Sequence, residues 1–151
     1  MENFKIKNFN DFYKGNLSFP KYKKLSNKKL STIQKKLLSQ LHLSEDSDSD
    51  ILLSLIKAIQ KKSVFIENYN AQEENFSLDQ LFNSLKINTL PQVYINWYRF
   101  DDVDEINFKD FCKYFDDIWY PSSDDIDLFD DSYNWIITIT HSGEIYKTVF
   151  K

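Results

Sequence analysis

The stretch WIITITHSGEIYKTVF, residues 135–150, carries the clearest fold signal in the chain. Two runs rich in β-branched and aromatic residues, 135–141 and 144–150, flank Ser142-Gly143, which suits a two-residue hairpin turn. The predicted cross-strand pairs are Ile139 with Tyr146, Ile137 with Thr148, Trp135 with Phe150 and His141 with Glu144. This register predicts an antiparallel sheet with one face packed on helices and the other, which carries Thr138, Thr140 and Lys147, facing water.

Upstream of the hairpin, four segments have the apolar spacing of amphipathic helices. They are residues 27–41, 51–61, 76–86 and 107–118, each with a residue able to cap a helix at its start. Residues 93–100 are predicted to form a strand and residues 63–70 a further one, whereas SEDSDSD (44–50) is expected to be an acidic link. Residues 1–25 show no regular pattern and are expected to be irregular, or a short strand followed by a helical turn.

These elements predict a single α+β domain over residues 1–151. Its N-terminal half would be helical, and a small antiparallel C-terminal sheet of residues 93–100 and 135–150 would pack on the 107–118 helix. Phe108, Phe111, Cys112, Phe115 and Trp119 form one apolar stripe on that helix, so Cys112 is expected to be a buried, unreactive thiol.

The composition excludes several classes of protein. The chain has 151 residues, 42% of them hydrophobic and 17% aromatic, which is far from the composition of a disordered chain. Only two glycines occur, so no glycine-rich phosphate loop can be built, and the one cysteine excludes an internal disulfide. The N-terminus lacks the apolar region of a signal peptide and no run is long enough to span a membrane, so a cytoplasmic location is expected.

Charge is distributed very unevenly along the chain. Residues 1–36 hold ten lysines and two acids, which gives +8, and residues 101–131 hold twelve acids and two lysines, which gives −10. Either the two regions attract each other within the fold, or each faces a different partner. The overall charge of −4 argues against nucleic acid as that partner.

The inventory of catalytic groups is small. His141 and Glu144 are expected to form a surface cross-strand contact, and no nucleophile motif is present. The aspartates of YPSSDDIDLFDD (120–131) could bind a metal, but they lack the glycine and glutamate positions of a calcium loop. We therefore expect no enzyme activity, no cofactor and no metal site.

The acids are instead expected to form a binding surface. One short helix separates the acidic segments 101–105 and 124–131, so their carboxylates are expected to crowd into one region that steers a basic protein. The predicted contact residues are Asp101, Asp102, Asp104, Glu105, Asp116, Asp117, Tyr120, Asp124, Asp125, Asp127, Asp130, Asp131 and Tyr133. Reversing Asp124, Asp125 and Asp127 to lysine is expected to weaken binding and leave the fold intact.

Residues 115–150 also resemble the C-terminal ends of bacterial immunity proteins that protect cells from polymorphic toxins, including toxins of contact-dependent growth inhibition systems. The resembling residues are Trp119-Tyr120-Pro121-Ser122-Ser123-Asp124-Asp125, Asp130, Trp135-Ile136 and His141-Ser142-Gly143. The resemblance implies a non-enzymatic cytoplasmic protein that binds a cognate toxin domain, for example a basic ribonuclease. The alternatives are a regulatory or scaffold module for another basic protein, and an aspartate-based metal-dependent hydrolase.

Overall fold

The computed structural model describes residues 1–43 and 50–150, so residues 44–49 of the predicted acidic link (44–50) lie outside the described residues. The helices are α1 (Asn3–Tyr13), α2 (Asn27–Gln40), α3 (Ile51–Lys62), α4 (Leu78–Ser84), α5 (Phe108–Lys113) and α6 (Phe115–Ile118). The strands are β1 (Tyr22–Lys24), β2 (Val64–Phe65), β3 (Gln92–Tyr98), β4 (Asp102–Asn107), β5 (Ile126–Phe129), β6 (Trp135–Ile139) and β7 (Ile145–Val149).

In the described residues, these strands form one antiparallel sheet in the order β1-β4-β3-β5-β6-β7-β2. Strands and helices alternate along the whole chain, so the predicted division into a helical N-terminal half and a small C-terminal sheet is wrong. No strand was predicted in the acidic segments 101–105 and 124–131, but they contain most of β4 and all of β5. The many carboxylates made it hard to recognise the alternation of apolar and polar residues that is typical of a strand. The buried apolar residues of these strands include Val103, Ile126 and Leu128.

Both faces of the sheet are packed, so the predicted wet face is also wrong. One face, including Ile95, Ile137 and Ile139, packs with α4, α5 and α6 in a first core. The opposite face, including Tyr94 and Ile136, packs with α2 and α3 in a second core. The sheet therefore lies between two helical layers, which explains why its strands lack a clean polar alternation.

The C-terminal hairpin is present, but its register differs by one residue from the prediction. The observed pairs are Ile139 with Ile145, Ile137 with Lys147 and Trp135 with Val149. The turn is longer than two residues because the Thr140 N–H donates to Glu144 O (2.9 Å) and Gly143 N–H donates to Thr140 O (2.8 Å). Gly143 adopts φ +86°, which suits the third residue of such a loop.

Most helix starts follow the expected capping chemistry. The side chains of Ser26, Asp50, Ser77 and Asn107 accept backbone N–H groups of α2, α3, α4 and α5, respectively. The predicted helix at 107–118 is interrupted at Tyr114, where ψ rises to 25° and α5 gives way to α6. The apolar stripe survives the break, but Cys112 is only half-buried where a buried thiol was predicted, and this partial burial raises the pKa of the thiol to about 12.

The N-terminal segment is regular, contrary to the expectation of irregular structure over residues 1–25. Helix α1 ends at Lys14, which adopts the left-handed conformation (φ 52°). Phe9 is buried at the centre of an aromatic group that includes Tyr13, Phe19 and Tyr114. This packing fixes α1 against the α5–α6 side of the sheet.

Candidate functional site

A lysine of α1 lies fully buried beside one of the predicted contact aspartates. Lys5 Nζ forms an ion pair with Asp124 Oδ2 and donates to Ile118 O (2.7 Å). The same Asp124 oxygen accepts Tyr120 N–H (2.8 Å), and Lys5 Nζ lies 4.3 Å from the centre of the Trp97 ring. Asp124 therefore anchors α1 to the rest of the protein, and its reversal to lysine would place two buried cations together.

Asp104 is the second buried aspartate on this side of the sheet. Its Oδ2 forms an ion pair with the Met1 ammonium group and accepts a hydrogen bond from Trp97 Nε1–H (2.9 Å). Its Oδ1 is buried and has no hydrogen-bond partner among residues 1–43 and 50–150. The N-terminal basic region and the acidic region therefore form ion pairs with each other within the fold. These pairs are Lys5–Asp124 and Lys29–Asp131 (3.1 Å). This is the first of the two explanations given above for the uneven distribution of charge.

Two further predicted acids stabilise the chain locally. Asp130 is fully buried, and its carboxylate accepts the N–H groups of Leu90 and Ser132, both at 2.9 Å. Asp127 accepts Thr138 Oγ1–H (2.6 Å) and Asn96 Nδ2–H (2.9 Å) across neighbouring strands. Burial raises the pKa of Asp127, and the hydrogen bonds from Thr138 and Asn96 oppose that rise.

The two predicted contact tyrosines occupy different environments. Tyr133 is buried in the second core, 5% exposed, so it offers almost no surface to a partner. Tyr120 is half-buried and packs edge-on against the exposed Phe4 of α1, with Lys5 Nζ 4.8 Å from its ring centre.

The remaining acids lie in three separate places and not on one platform. Asp101, Asp102 and Asp125 lie at the β3–β4 turn and the start of β5. Asp116 and Asp117 lie on α6, where burial raises the pKa of Asp117 and the Tyr13 hydroxyl (3.0 Å) opposes that rise. Glu105 and Asp131 lie on the opposite side of the sheet, near Tyr94 and Lys29.

The first of these places combines charge with shape and an exposed aromatic ring. Tyr98, at the end of β3, is 62% exposed, and its carbonyl accepts Asp101 N–H (3.1 Å). Two clefts of about 610 and 730 Å³ meet here, and both are lined by Trp97, Tyr98 and Asp125. We call Tyr98, Asp101, Asp102 and Asp125 the β3–β4 surface.

Asp125 in this surface also interacts with the hairpin turn. Its Oδ1 accepts His141 N–H (2.7 Å) and lies 2.9 Å from His141 Nδ1. The predicted pairing of His141 with Glu144 is therefore wrong, because the longer turn pairs Thr140 with Glu144. Both side chains of the His141–Asp125 pair are mostly exposed, as expected for a surface contact.

Sequence reasoning did not identify Lys5 or Arg99 as part of this region. Lys5 could have been noticed because it lies between Phe4 and Ile6 in an otherwise apolar run, FKI. Arg99 forms an ion pair with Asp50 at the N-terminus of α3 and lies 5.9 Å from the Tyr98 ring centre. It adopts a positive φ of 52°, a turn geometry that periodicity does not reveal.

Within the described ranges, no group of three or more His, Cys, Asp or Glu side chains is arranged to hold a metal ion. No described helix is both long and apolar enough to cross a membrane. Comparisons with protein-family models, with curated proteins and with solved structures found no match for the chain.

Proposed function

We propose that the protein is a non-catalytic inhibitor that binds a basic toxin domain, such as a ribonuclease, in the cytoplasm and covers its substrate groove. The resemblance of residues 115–150 to immunity proteins suggests that the partner is a toxin domain. The observation that carries the binding surface is the exposed Tyr98 ring within the acids Asp101, Asp102 and Asp125, beside two adjoining clefts.

The physical argument combines steering with anchoring. Carboxylates at a rim raise association rates with a basic partner from about 10⁵–10⁶ to as much as 10⁸–10⁹ M⁻¹s⁻¹ at low salt. A large aromatic side chain that enters a partner pocket supplies much of the binding energy of many interfaces. The β3–β4 surface offers both, and it lies at the ends of sheet strands that hold it in place.

The residues that we propose to contact the toxin are therefore fewer than the contact residues predicted from the sequence. Asp104, Asp124, Asp130 and Tyr133 are buried and contribute to the fold, so we assign them no direct contact with a toxin. Asp116 and Asp117 of α6, and Glu105 and Asp131 on the opposite side of the sheet, are exposed or half-buried and remain candidates for the periphery of a large interface.

The test compares two charge reversals of equal size. The variant Asp101→Lys/Asp125→Lys alters the β3–β4 surface, and Glu73→Lys/Glu74→Lys alters two exposed acids that belong neither to that surface nor to the lining of the two clefts. Each is co-expressed with the product of the neighbouring gene, and association rates are measured on a sensor surface at low and moderate salt. We expect the first variant to lose at least about tenfold in association rate and most of its salt dependence, and the second to retain both.

Two results would contradict the proposal. One is unchanged toxin binding by a correctly folded Asp101→Lys/Asp125→Lys protein. The other is an equal loss in the Glu73→Lys/Glu74→Lys control, since that loss would reflect net charge and not this surface.

A further inference from the structure

The turn that carries Tyr98 has a backbone conformation that its residues do not favour. Asp101 N–H donates to Tyr98 O (3.1 Å) across the turn. The two residues between them, Arg99 and Phe100, have positive φ values of 52° and 59°. A type I′ hairpin turn has this combination, and it usually contains Asn-Gly or Gly-Gly because most side chains with a Cβ are strained there. The turn between β3 and β4 therefore has to be held by contacts with the rest of the protein.

Phe100 is the residue through which this turn is held. Its ring is fully buried in the second core, with its centre 5.9 Å from the centre of the Phe129 ring. Its N–H donates to Asn96 Oδ1 (2.8 Å), and its carbonyl accepts Gln34 Nε2–H (2.8 Å). The side chain and both backbone groups of Phe100 are therefore engaged, and these contacts offset the cost of its positive φ.

A chain of hydrogen bonds connects the turn to the middle of the sheet. Asn96 is buried on β3, and its Nδ2–H donates to Asp127 Oδ2 (2.9 Å) on β5. The other carboxylate oxygen of Asp127 accepts Thr138 Oγ1–H (2.6 Å) on β6. An ionised carboxylate can only accept hydrogen bonds, so Asp127 fixes the Asn96 amide with its nitrogen toward β5 and its oxygen toward Phe100 N–H.

From this geometry we infer that Asp127 and Asn96 are positioning residues for toxin binding, which hold the turn so that Tyr98 is presented to the partner. The inference rests on the proposed function, since it explains how the exposed ring of the β3–β4 surface is kept in place. An anchor whose backbone is already fixed loses less conformational freedom on binding, which lowers the cost of forming the complex. Asp127, predicted from the sequence as a direct contact, then acts through Asn96 and does not touch the toxin.

The first arm of the test measures the turn itself, without the toxin. Amide hydrogen exchange is followed by ¹⁵N NMR, and the exchange rate of Phe100 is divided by that of Ile137 in β6, a strand paired on both sides. We expect Asn96→Ala and Asp127→Ala to raise this ratio by about tenfold, because each removes one link of the chain. Asp127→Asn keeps an acceptor for Asn96 Nδ2–H, so its ratio should stay within about twofold of the wild type. If Asp127→Ala does not fold, Asn96→Ala decides the same comparison.

The matched control is Asp130→Asn. Asp130 is also buried and also accepts hydrogen bonds, from the N–H groups of Leu90 and Ser132, but it follows the last residue of β5, whereas Asp127 lies near the first. We expect this variant to lose stability in urea unfolding and to leave the exchange ratio unchanged. An aspartate with only a structural role would behave like Asp130 in both measurements.

The second arm measures toxin binding on a sensor surface. A less firmly held Tyr98 should raise the dissociation rate of Asn96→Ala and Asp127→Ala about tenfold, while the association rate stays close to that of the wild type. Asp127→Asn removes the same charge as Asp127→Ala but keeps the hydrogen bond from Asn96, so it should retain the wild-type dissociation rate. This pair of variants separates the effect of the charge from the effect of the hydrogen bond.

The inference is overturned if the exchange ratio is unchanged in Asn96→Ala and Asp127→Ala, if Asp127→Asn behaves like Asp127→Ala, or if Asp130→Asn raises the ratio as much. Equal toxin dissociation rates for the wild type, Asn96→Ala and Asp127→Ala would also overturn it, and in that case the proposed function stands. If the exchange ratios are as expected but the wild type binds no toxin, the proposed function is rejected together with the role in toxin binding.

Discussion

Replacing Lys5 by methionine tests how α1 is held to the sheet. Methionine preserves much of the side-chain volume but removes the charge that pairs with Asp124 and the donor to Ile118 O. Both members of the pair are buried, with side-chain exposures of 0% for Lys5 and 6% for Asp124. The variant therefore leaves a buried carboxylate without its counter-charge.

Removing one partner of a buried ion pair typically costs about 3–5 kcal/mol. We expect Lys5→Met to cost about 3 kcal/mol, at the lower end, because Asp124 keeps its hydrogen bond from Tyr120 N–H. In urea unfolding monitored by tryptophan fluorescence, with a slope of about 2 kcal/mol/M, the midpoint should fall by about 1.5 M. The double variant Lys5→Met/Asp124→Asn should recover much of this loss, since it no longer buries an unpaired charge.

The control is Lys7→Met, whose ion pair with Asp11 is exposed on the same helix. We expect its unfolding midpoint to stay close to that of the wild type, because exposed pairs contribute little. Equal effects of Lys5→Met and Lys7→Met would refute the reasoning. So would a double variant that is as unstable as the sum of its single changes.

Gly143→Ala should destabilise the protein by about 2 kcal/mol in thermal unfolding, because a Cβ there would lie 2.1 Å from Asn70 Oδ1 at a φ of +86°. Gly15→Ala, at φ +74° with open space around it in the described structure, should cost only about 1 kcal/mol, and equal losses would contradict the steric argument. Tyr133→Phe should be within about 1 kcal/mol of the wild type at pH 7, because the buried Tyr133 hydroxyl has no partner among the described residues. Burial raises the pKa of Tyr133 to about 12, so the folded state keeps its proton longer than the unfolded chain, and stability is lost as pH rises from about 10 to about 12. The phenylalanine variant should lose less stability over this range in urea unfolding, and an unchanged slope would contradict the assignment.

The elements that the sequence predicted well are those with local signals. Helices α2, α3 and α4 follow from apolar spacing and from caps at Ser26, Asp50 and Ser77, which depend on only a few neighbouring residues. The hairpin strands are likewise local, but their register was wrong because Ser142-Gly143 was taken as the whole turn. The same sequence is also compatible with a three-residue loop that has glycine at its third position. A shift of one residue in the register changes every cross-strand pair of the hairpin.

The missed elements depend on distant residues. Strand β1 has three residues, YKK, and only its pairing with Tyr22 opposite Ile106 makes it a strand. Strand β5 was hidden because Asp127 is held by Asn96 and Thr138 from two other strands. The acidic region was correctly noticed as unusual, but sequence alone could not separate its internal carboxylates from the exposed ones, since the partner Lys5 is 119 residues away.

The position of α1 and β1 has a consequence for how the chain acquires its structure. Strand β1 pairs with β4, with Tyr22 opposite Ile106, and Lys5 of α1 meets Asp124, which lies 119 residues further along the chain. The chain must lose the conformational entropy of closing these long loops before the stabilising contacts between their ends can form. Folding is therefore slower than in proteins dominated by local contacts. Until residue 114 is available, Phe9 of α1 lacks its contact with the Tyr114 ring, so this part of the apolar side of the helix stays uncovered.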